Sequence, residues 1–223
     1  MKVACLIFPN FKIKSELKRR QYLSNRQILI SGFNGNKEVV LDYTNNIKGI
    51  SKGFLLKDVL LNIKNPIILK EDEKYYSHVQ RELIKNLLSL FDFIEVDQYK
   101  CIYIDVSDVP IYSSDRVEIA EIILSAIPEY FNVYLGFSTG KYSSYIAALL
   151  ASPNNFKALE FNKKNIGELS TYLLPVSDDF KTRMHSLGLT EFKKISNLKR
   201  KHLLFQFGKT GGFIWDFVNG IDE

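Results

Sequence analysis

The sequence has few of the residues that form disulfide bonds, zinc sites or membrane spans. It contains two cysteines, Cys5 and Cys101, and both lie in apolar runs typical of buried, reduced thiols. Its histidines, His78, His185 and His202, have no cysteine at zinc-ligand spacing, so no zinc site is predicted. No apolar run approaches the roughly 20 residues that cross a bilayer, and the basic residues follow the first apolar run, the reverse of a signal peptide. We expect a cytoplasmic protein with no membrane partner.

The composition excludes a disordered chain and shows a modest excess of positive charge. Hydrophobic residues make up 46% of the 223 residues, and 30 Lys and Arg face 25 Asp and Glu. Within the first 26 residues Glu16 is the only acid. The basic residues of this N-terminal cluster are Lys2, Lys12, Lys14, Lys18, Arg19, Arg20 and Arg26. Such clusters favour a polyanion partner, although a solvated surface is an alternative explanation.

Hydrophobic periodicity predicts an α+β fold. The apolar run 3–8 is typical of a strand buried on both faces, and 27–41 has the pattern of a hairpin with Asn-Gly turn chemistry. Apolar residues recur at helical spacing between Tyr76 and Leu90. Further strands are predicted at 94–96, 101–106 and 133–137. Because these strands alternate with helical patterns, we expect an α+β sheet domain.

After Pro153 the pattern changes to short helices with glycine at their ends. The predicted helices cover 179–187, 191–195 and 199–207, and the last is expected to stop at Gly208. We expect this part of the chain to form a small helical module separate from the sheet.

A glycine-rich turn, Gly136-Phe137-Ser138-Thr139-Gly140-Lys141, follows a predicted strand and precedes a predicted helix. It is not a P-loop, because three residues separate the glycines where four are required, and Tyr142 replaces the magnesium-binding Ser or Thr. Lys141 at a helix N-terminus is nevertheless well placed to meet a phosphate. The alternative is a tight turn that needs glycine only for its backbone geometry.

Several further motifs follow one another along the chain: Gly49-Ile50-Ser51-Lys52-Gly53-Phe54, Tyr103-Ile104-Asp105-Val106, the turn ending at Lys141, Leu174-Pro175-Val176, and the run from Phe205-Gln206-Phe207-Gly208 to Gly220-Ile221-Asp222. The order of these motifs resembles that in the Y-family (translesion) DNA polymerases. The resemblance covers essentially the whole chain. It implies a palm sheet (1–12 and 66–153), a small fingers insertion (13–65) and a helical thumb (154–223) with a degenerate helix-hairpin-helix. The little-finger domain that follows the thumb in this family is absent from the sequence.

The resemblance also implies that the catalytic acids are lost. Polymerases use carboxylates to hold two metal ions, which activate the primer hydroxyl and clamp the triphosphate. The family's three acidic positions fall on Ile7, Lys100 and Cys101. The resemblance thus implies a catalytically degenerate member with no metal site and no Mg²⁺ cofactor. Tyr43 and Lys141 match the family's remaining nucleotide contacts and are expected to be remnants of a phosphate-binding site.

The expected thumb is altered as well. Ser177-Asp178-Asp179 stands where the family has a Gly-x-Gly turn that holds a phosphate, and its two acids would repel DNA locally. Basic residues surround this position, and we expect them to bind the DNA backbone. The predicted DNA-binding residues are Lys181, Arg183, Lys193, Lys194, Lys199, Arg200 and Lys201.

Three functions are compatible with these features. The first is an inactive, DNA-binding accessory in DNA repair or translesion damage tolerance, associated with the nucleoid. The second is a protein–protein scaffold for an active DNA polymerase or a recombinase-type repair protein. The third is an active nucleotidyltransferase with relocated carboxylates, for which Asp97 and Asp105 are the nearest candidates. These two lie eight residues apart, so one continuous strand would separate them by roughly 26 Å.

Overall fold

A computed structural model describes residues 2–97, 100–107 and 116–222 of the chain. Its contacts divide the chain into two compact units. The first unit comprises Met1–Ile7, Tyr103–Ala120 and Tyr134–Glu223. The second unit comprises Phe8–Ile102 and Glu121–Val133. The predicted division into palm, fingers and thumb stays a prediction. Within the described ranges, no helix is both long enough and apolar enough to span a membrane.

The described residues form strands and helices that confirm the predicted α+β class. The strands are β1 (Val3–Ile7), β2 (Ile28–Asn34), β3 (Lys37–Tyr43), β4 (Ile67–Lys70), β5 (Ile94–Asp97), β6 (Cys101–Asp105), β7 (Tyr134–Ser138) and β8 (Asn155–Ala158). The helices are α1 (Phe11–Arg19), α2 (Leu56–Leu60), α3 (Glu73–Leu88), α4 (Arg116–Ser125), α5 (Lys141–Leu149), α6 (Lys163–Ile166), α7 (Asp178–Ser186), α8 (Phe192–Ser196) and α9 (Arg200–Val218). One sheet has the strand order β5–β6–β1–β7–β8, and the other has the order β3–β2–β4.

The first unit is built on β1, β7 and β8. β1 pairs antiparallel with β7, and β8 pairs parallel with β7. The continuous apolar run of β1 is explained by burial, since Ala4, Cys5 and Leu6 are inaccessible to solvent. The expectation that the chain after Pro153 is separate from the sheet is wrong, because β8 extends the sheet at its edge.

A hydrophobic core joins α5 to the C-terminal helices of this unit. Ile146 and Ala147 of α5 belong to the same buried cluster as Met184 and Phe217. The predicted helix end at Gly208 is a break rather than a stop. Gly208 has φ 60°, in the left-handed region that favours glycine, and helical geometry resumes and continues to Val218.

The second unit contains the predicted hairpin and a parallel strand. β2 and β3 pair antiparallel around a turn in which Gly35 has φ 60°, and β4 pairs parallel with β2. Leu29, Val40 and Leu56 form the centre of a buried cluster that packs α2 against the hairpin. The start of this unit is basic in sequence, and no helix is predicted there. It forms the helix α1, in which apolar Phe11 and Ile13 are buried.

Candidate nucleic-acid interface

The three positions expected to carry catalytic acids hold no carboxylate and lie at the ends of strands. Ile7 is the last residue of β1 and is 9% exposed, and Cys101 is the first residue of β6 and is 1% exposed. Lys100 lies just before β6, and its ammonium is 3.8 Å from the Asp97 carboxylate. The Lys100 carbonyl accepts a hydrogen bond of 3.0 Å from the Phe8 amide. These positions therefore supply two apolar side chains and one cation.

Among residues 2–97, 100–107 and 116–222, no group of three or more His, Cys, Asp or Glu side chains could hold a metal ion. Asp97 is paired with Lys100. Asp105 accepts a 2.8 Å hydrogen bond from the Ser107 amide, and hydrogen bonds from the side chain and amide of Ser107 hold the pKa of Asp105 below its usual value. Both candidate carboxylates are thus engaged by neighbours in the sequence.

Asp42 is a buried carboxylate with a structural function. It is 1% exposed and accepts hydrogen bonds of 3.0 Å from the Ile13 amide and 3.1 Å from the Tyr43 amide. The Ile13 amide binds Oδ2, and the Tyr43 amide binds Oδ1, which also lies 2.8 Å from the Lys52 ammonium. Because Ile13 is 29 residues away in sequence, Asp42 links α1 to the hairpin. Its oxygens are occupied by protein donors.

The two residues predicted to remain from a nucleotide site both make contacts within their own unit. The Tyr43 hydroxyl donates a 2.9 Å hydrogen bond to the Ile50 carbonyl and closes the glycine-containing loop that follows the hairpin. Lys141 is the first residue of α5, and its ammonium lies 4.8 Å from the centre of the Tyr103 ring. Such a cation–π contact holds the ammonium over the aromatic face.

A carboxylate that the sequence analysis did not identify as a site residue lies at the N-terminus of α5. Asp222 accepts a 2.6 Å hydrogen bond from the Ser143 amide. Its carboxyl carbon would lie 2.6 Å from a Cβ placed on Gly140, so the close approach requires glycine. The positive end of the helix dipole, where a phosphate would bind, is therefore met by a protein carboxylate. Gly220-Ile221-Asp222 is recognisable in the sequence as a motif, but its contact with α5 depends on the fold.

We expect Asp222→Ala to lower the free energy of unfolding by about 1–2 kcal/mol, because it removes a helix cap and a favourable charge at the N-terminus. Urea unfolding followed by circular dichroism measures the change. Glu121→Ala, at an exposed position of α4, is the control and should change stability by no more than about 0.5 kcal/mol. If the Asp222 variant is as stable as the Glu121 variant, the contact does not contribute as described.

Lys12 and Arg19 of the N-terminal basic cluster are paired with acids of the second unit. Lys12 forms an ion pair with Glu71, and Arg19 forms a bidentate pair with Glu16 at 2.6 and 2.9 Å and contacts Asp72 at 2.8 Å. Such paired cations have little charge left for a polyanion. Lys12 and Arg19 are therefore weak candidates for contact with a nucleic acid.

Several of the seven predicted DNA-binding residues are also paired. Lys193 contacts Glu168 at 2.7 Å, and this hydrogen bond raises the pKa of Lys193 above its ordinary value. Arg200 forms a bidentate pair with Asp216 at 3.0 and 2.7 Å. Lys181 lies 3.2 Å from Asp178. The Ser177-Asp178-Asp179 segment begins α7, where acids in the first turn favour the helix.

The remaining predicted residues differ in how accessible their charge is. Arg183 lies over the Phe207 ring at 5.2 Å, and the Lys194 ammonium donates a 2.9 Å hydrogen bond to the Thr190 hydroxyl. Lys199 and Lys201, beside the start of α9, are exposed and have no ion pair with any described residue. These two lysines are the best candidates for contact with a polyanion.

Comparison with known proteins agrees with the motif order. No protein-family model matches the sequence. A DNA polymerase IV of Ectopseudomonas mendocina is 24% identical over 93% of this chain and 61% of the relative. A DNA polymerase IV of Clostridium kluyveri is 23% identical over 95% of this chain and 55% of the relative. The chain thus spans slightly more than half the length of these relatives.

Solved structures of Y-family polymerases superpose on the whole chain. DinB from Sulfolobus solfataricus has a TM-score of 0.87 at 17% identity, covering 100% of this chain and 68% of the neighbour. The Dbh DNA polymerase in an insertion ternary complex has a TM-score of 0.87 at 16% identity, covering 100% of this chain and 69% of the neighbour. The resemblance to the Y-family DNA polymerases is confirmed, and the chain has the polymerase fold of that family.

Proposed function

We propose that the protein is a catalytically inactive, DNA-binding accessory in DNA repair or translesion damage tolerance. The observation that carries this proposal is the chemistry at Ile7, Lys100 and Cys101, where a polymerase of this fold needs acids. The relatives named DNA polymerase IV and the neighbour solved as a ternary complex support an origin in DNA-handling proteins. An active DNA polymerase or a recombinase-type repair protein is the proposed protein partner.

Inactivity follows from the ligand preferences of magnesium. Mg²⁺ is bound by carboxylate, phosphate and water oxygens in near-octahedral geometry. Isoleucine and a buried thiol offer no such oxygen, and the Lys100 ammonium repels a cation. A two-metal reaction needs ligands for both ions at once. We therefore expect no magnesium-dependent primer extension by this chain.

DNA binding is proposed to rest on phosphate contacts from the thumb. Lys199 and Lys201 are exposed, and neither forms an ion pair with a described residue. Phosphate contacts position a protein on DNA without reading its sequence. Binding should therefore be non-specific and weaken steeply as salt rises.

The double variant Lys199→Glu with Lys201→Glu reverses the charge of both lysines. Its affinity for a labelled primer–template should be about 10- to 100-fold lower at low salt. The slope of log affinity against log salt should also become shallower, by the equivalent of about two released counterions. Fluorescence anisotropy at several salt concentrations measures both quantities. Lys74→Glu with Lys85→Glu on α3 makes the same change in net charge at two exposed positions. This control separates a local interface from a general effect of charge.

Three outcomes would redirect the proposal. Equal affinity losses in the two double variants would show that the thumb lysines are an ordinary solvated surface. No DNA binding at low salt, with co-purification of a polymerase or recombinase, would favour the scaffold function. Primer extension with Mg²⁺ and deoxynucleotides, absent when EDTA is added, would show an active nucleotidyltransferase and contradict the proposed inactivity.

A further inference from the structure

An aromatic side chain stands almost fully in solvent within the basic C-terminal region. Phe205, on α9, is 92% exposed. Its neighbours Leu203 and Phe207 are buried on the opposite side of the helix, so the register of α9 is set by packing and Phe205 is directed outward. A phenylalanine left in water does not gain the free energy of burial that stabilises its neighbours Leu203 and Phe207. An exposed ring of this kind is accessible to a flat, apolar ligand group.

The charge around Phe205 identifies the class of partner. From residue 192 to residue 215 the chain contains no Asp or Glu. The same stretch contains the cations Lys193, Lys194, Lys199, Arg200, Lys201 and Lys209. Lys193 and Arg200 are paired with Glu168 and Asp216, whereas Lys199 and Lys201 form no ion pair with a described residue. An exposed ring near such lysines is complementary to a polyanion that also carries flat, apolar groups.

Two basic side chains share the helix face of Phe205. Lys201 precedes Phe205 by four residues and His202 precedes it by three, spacings that bring side chains together on one face of a helix. Both are exposed, and Lys201 has no ion pair with any described residue. Phe205 and Lys201 therefore form a patch in which a ring and a cation are available to the same ligand.

We propose that this patch binds single-stranded DNA, with an unpaired base stacked on Phe205 and the adjoining phosphate held by Lys201. The proposal rests on the DNA-binding function and specifies the strand state that the thumb prefers. Duplex DNA keeps its bases stacked on one another, so it can use the lysines but not the ring. An acidic protein would also use the lysines, but it offers no base to stack. The ring is thus the feature that distinguishes the three partners.

The test measures binding of a labelled single-stranded oligonucleotide, a duplex of equal length and polyglutamate to the full chain. Phe205→Ala should lower affinity for the single strand by about 5- to 150-fold, the effect of losing one stacked base. Affinity for the duplex and the salt slope should be unchanged, because no phosphate contact is removed. Phe205→Trp should bind the single strand at least as tightly as the wild type.

Phe93→Ala is the matched control, because Phe93 is 69% exposed but has the acids Asp92 and Glu95 as close neighbours in sequence. It should leave all three affinities unchanged. If Phe205→Ala also has no effect while the wild type binds DNA, the stacking proposal is overturned and the DNA-binding function stands. The stacking proposal would also be overturned if Phe205→Ala lowered affinity for the single strand and the duplex equally. It would likewise be overturned if the protein bound polyglutamate more tightly than the single strand and this binding depended on Phe205. No binding of either DNA at low salt would overturn both proposals.

Discussion

Gly136→Ala is expected to destabilise the protein by at least about 3 kcal/mol, at the upper end of the cost of overpacking a core. Gly136 lies in β7, where it pairs with Cys5 of β1, and α5 crosses directly over it. A Cβ at this position would clash with the Ala148 amide nitrogen and the Ser144 carbonyl oxygen, and would lie 2.7 Å from the Ala147 carbonyl carbon.

The atoms met by this Cβ belong to the backbone of α5, so no rotation of a side chain can relieve the clash. α5 would have to move away from the sheet, and its buried Ile146 and Ala147 would lose contacts in the core of the first unit. Urea or thermal unfolding followed by circular dichroism measures the loss of stability.

Gly167→Ala is a suitable control for this variant. Gly167 has φ −55° and ψ −36°, and an added Cβ would make only ordinary contacts of 3.5 Å with the Lys163 carbonyl oxygen and the Lys193 Cβ. The control should be neutral or stabilising by up to about 1 kcal/mol, because alanine restricts the unfolded chain. If the Gly136→Ala variant unfolds at the same urea concentration as the wild type, that result would contradict the close packing of α5 on β7 described above.

Arg19→Met is expected to lower the free energy of unfolding by about 3–5 kcal/mol, because it leaves the buried Glu16 carboxylate without its main partner. Glu16 is 1% exposed and accepts two hydrogen bonds from Arg19 and one of 2.9 Å from the Tyr76 hydroxyl. Arg20 remains 3.5 Å from the carboxylate, which favours the lower end of this range.

Burial and the hydrogen bond to Glu16 also raise the pKa of Tyr76, so its hydroxyl stays a donor throughout the neutral range.

The double variant Arg19→Met with Glu16→Gln tests the cause. If an uncompensated charge is responsible, neutralising Glu16 recovers part of the lost stability, as a double-mutant cycle would show. Arg81→Met, at an exposed position of α3, controls for the substitution itself and should change stability by no more than about 0.5 kcal/mol. An equal loss in the single and double variants would contradict the charge explanation.

The same arginine predicts a dependence on pH. The hydrogen bond from Arg19 holds the pKa of Asp72 below its ordinary value. Since the folded pKa is the lower one, the unfolded chain binds the proton more readily in acid. This stabilisation is therefore present above the ordinary carboxyl pKa and is lost as the pH falls through the lower, folded value. Arg19→Met should lose less stability than the wild type between about pH 5 and pH 2.

Local sequence patterns were sufficient for the features that depend on neighbouring residues. The apolar run of β1, the hairpin of β2 and β3, and the periodicity of α3 could each be predicted, because burial on one or both faces sets the spacing of apolar residues. The order of motifs identified the polymerase fold, and the residues at Ile7, Lys100 and Cys101 could be recognised as non-acidic without any structure.

Tertiary structure decided the features that depend on partners distant in sequence. The charges of Arg19 and Arg200 count as basic in the sequence, but folding pairs them with Asp72 and Asp216. β8 is too short and too polar to be predicted, and it exists because β7 offers it a parallel edge. These contacts form only when segments separated in sequence pack together, and local periodicity carries no information about them.

The sequence by itself therefore determined the polymerase-like architecture and the non-acidic identity of Ile7, Lys100 and Cys101, because both depend on local patterns and residue types. Folding decided which charges remain available. It leaves Lys199, Lys201 and Phe205 in solvent and brings Asp222 to the N-terminus of α5. The reason is that exposure and pairing depend on which distant segments meet, and this is settled only by the packing of the cores.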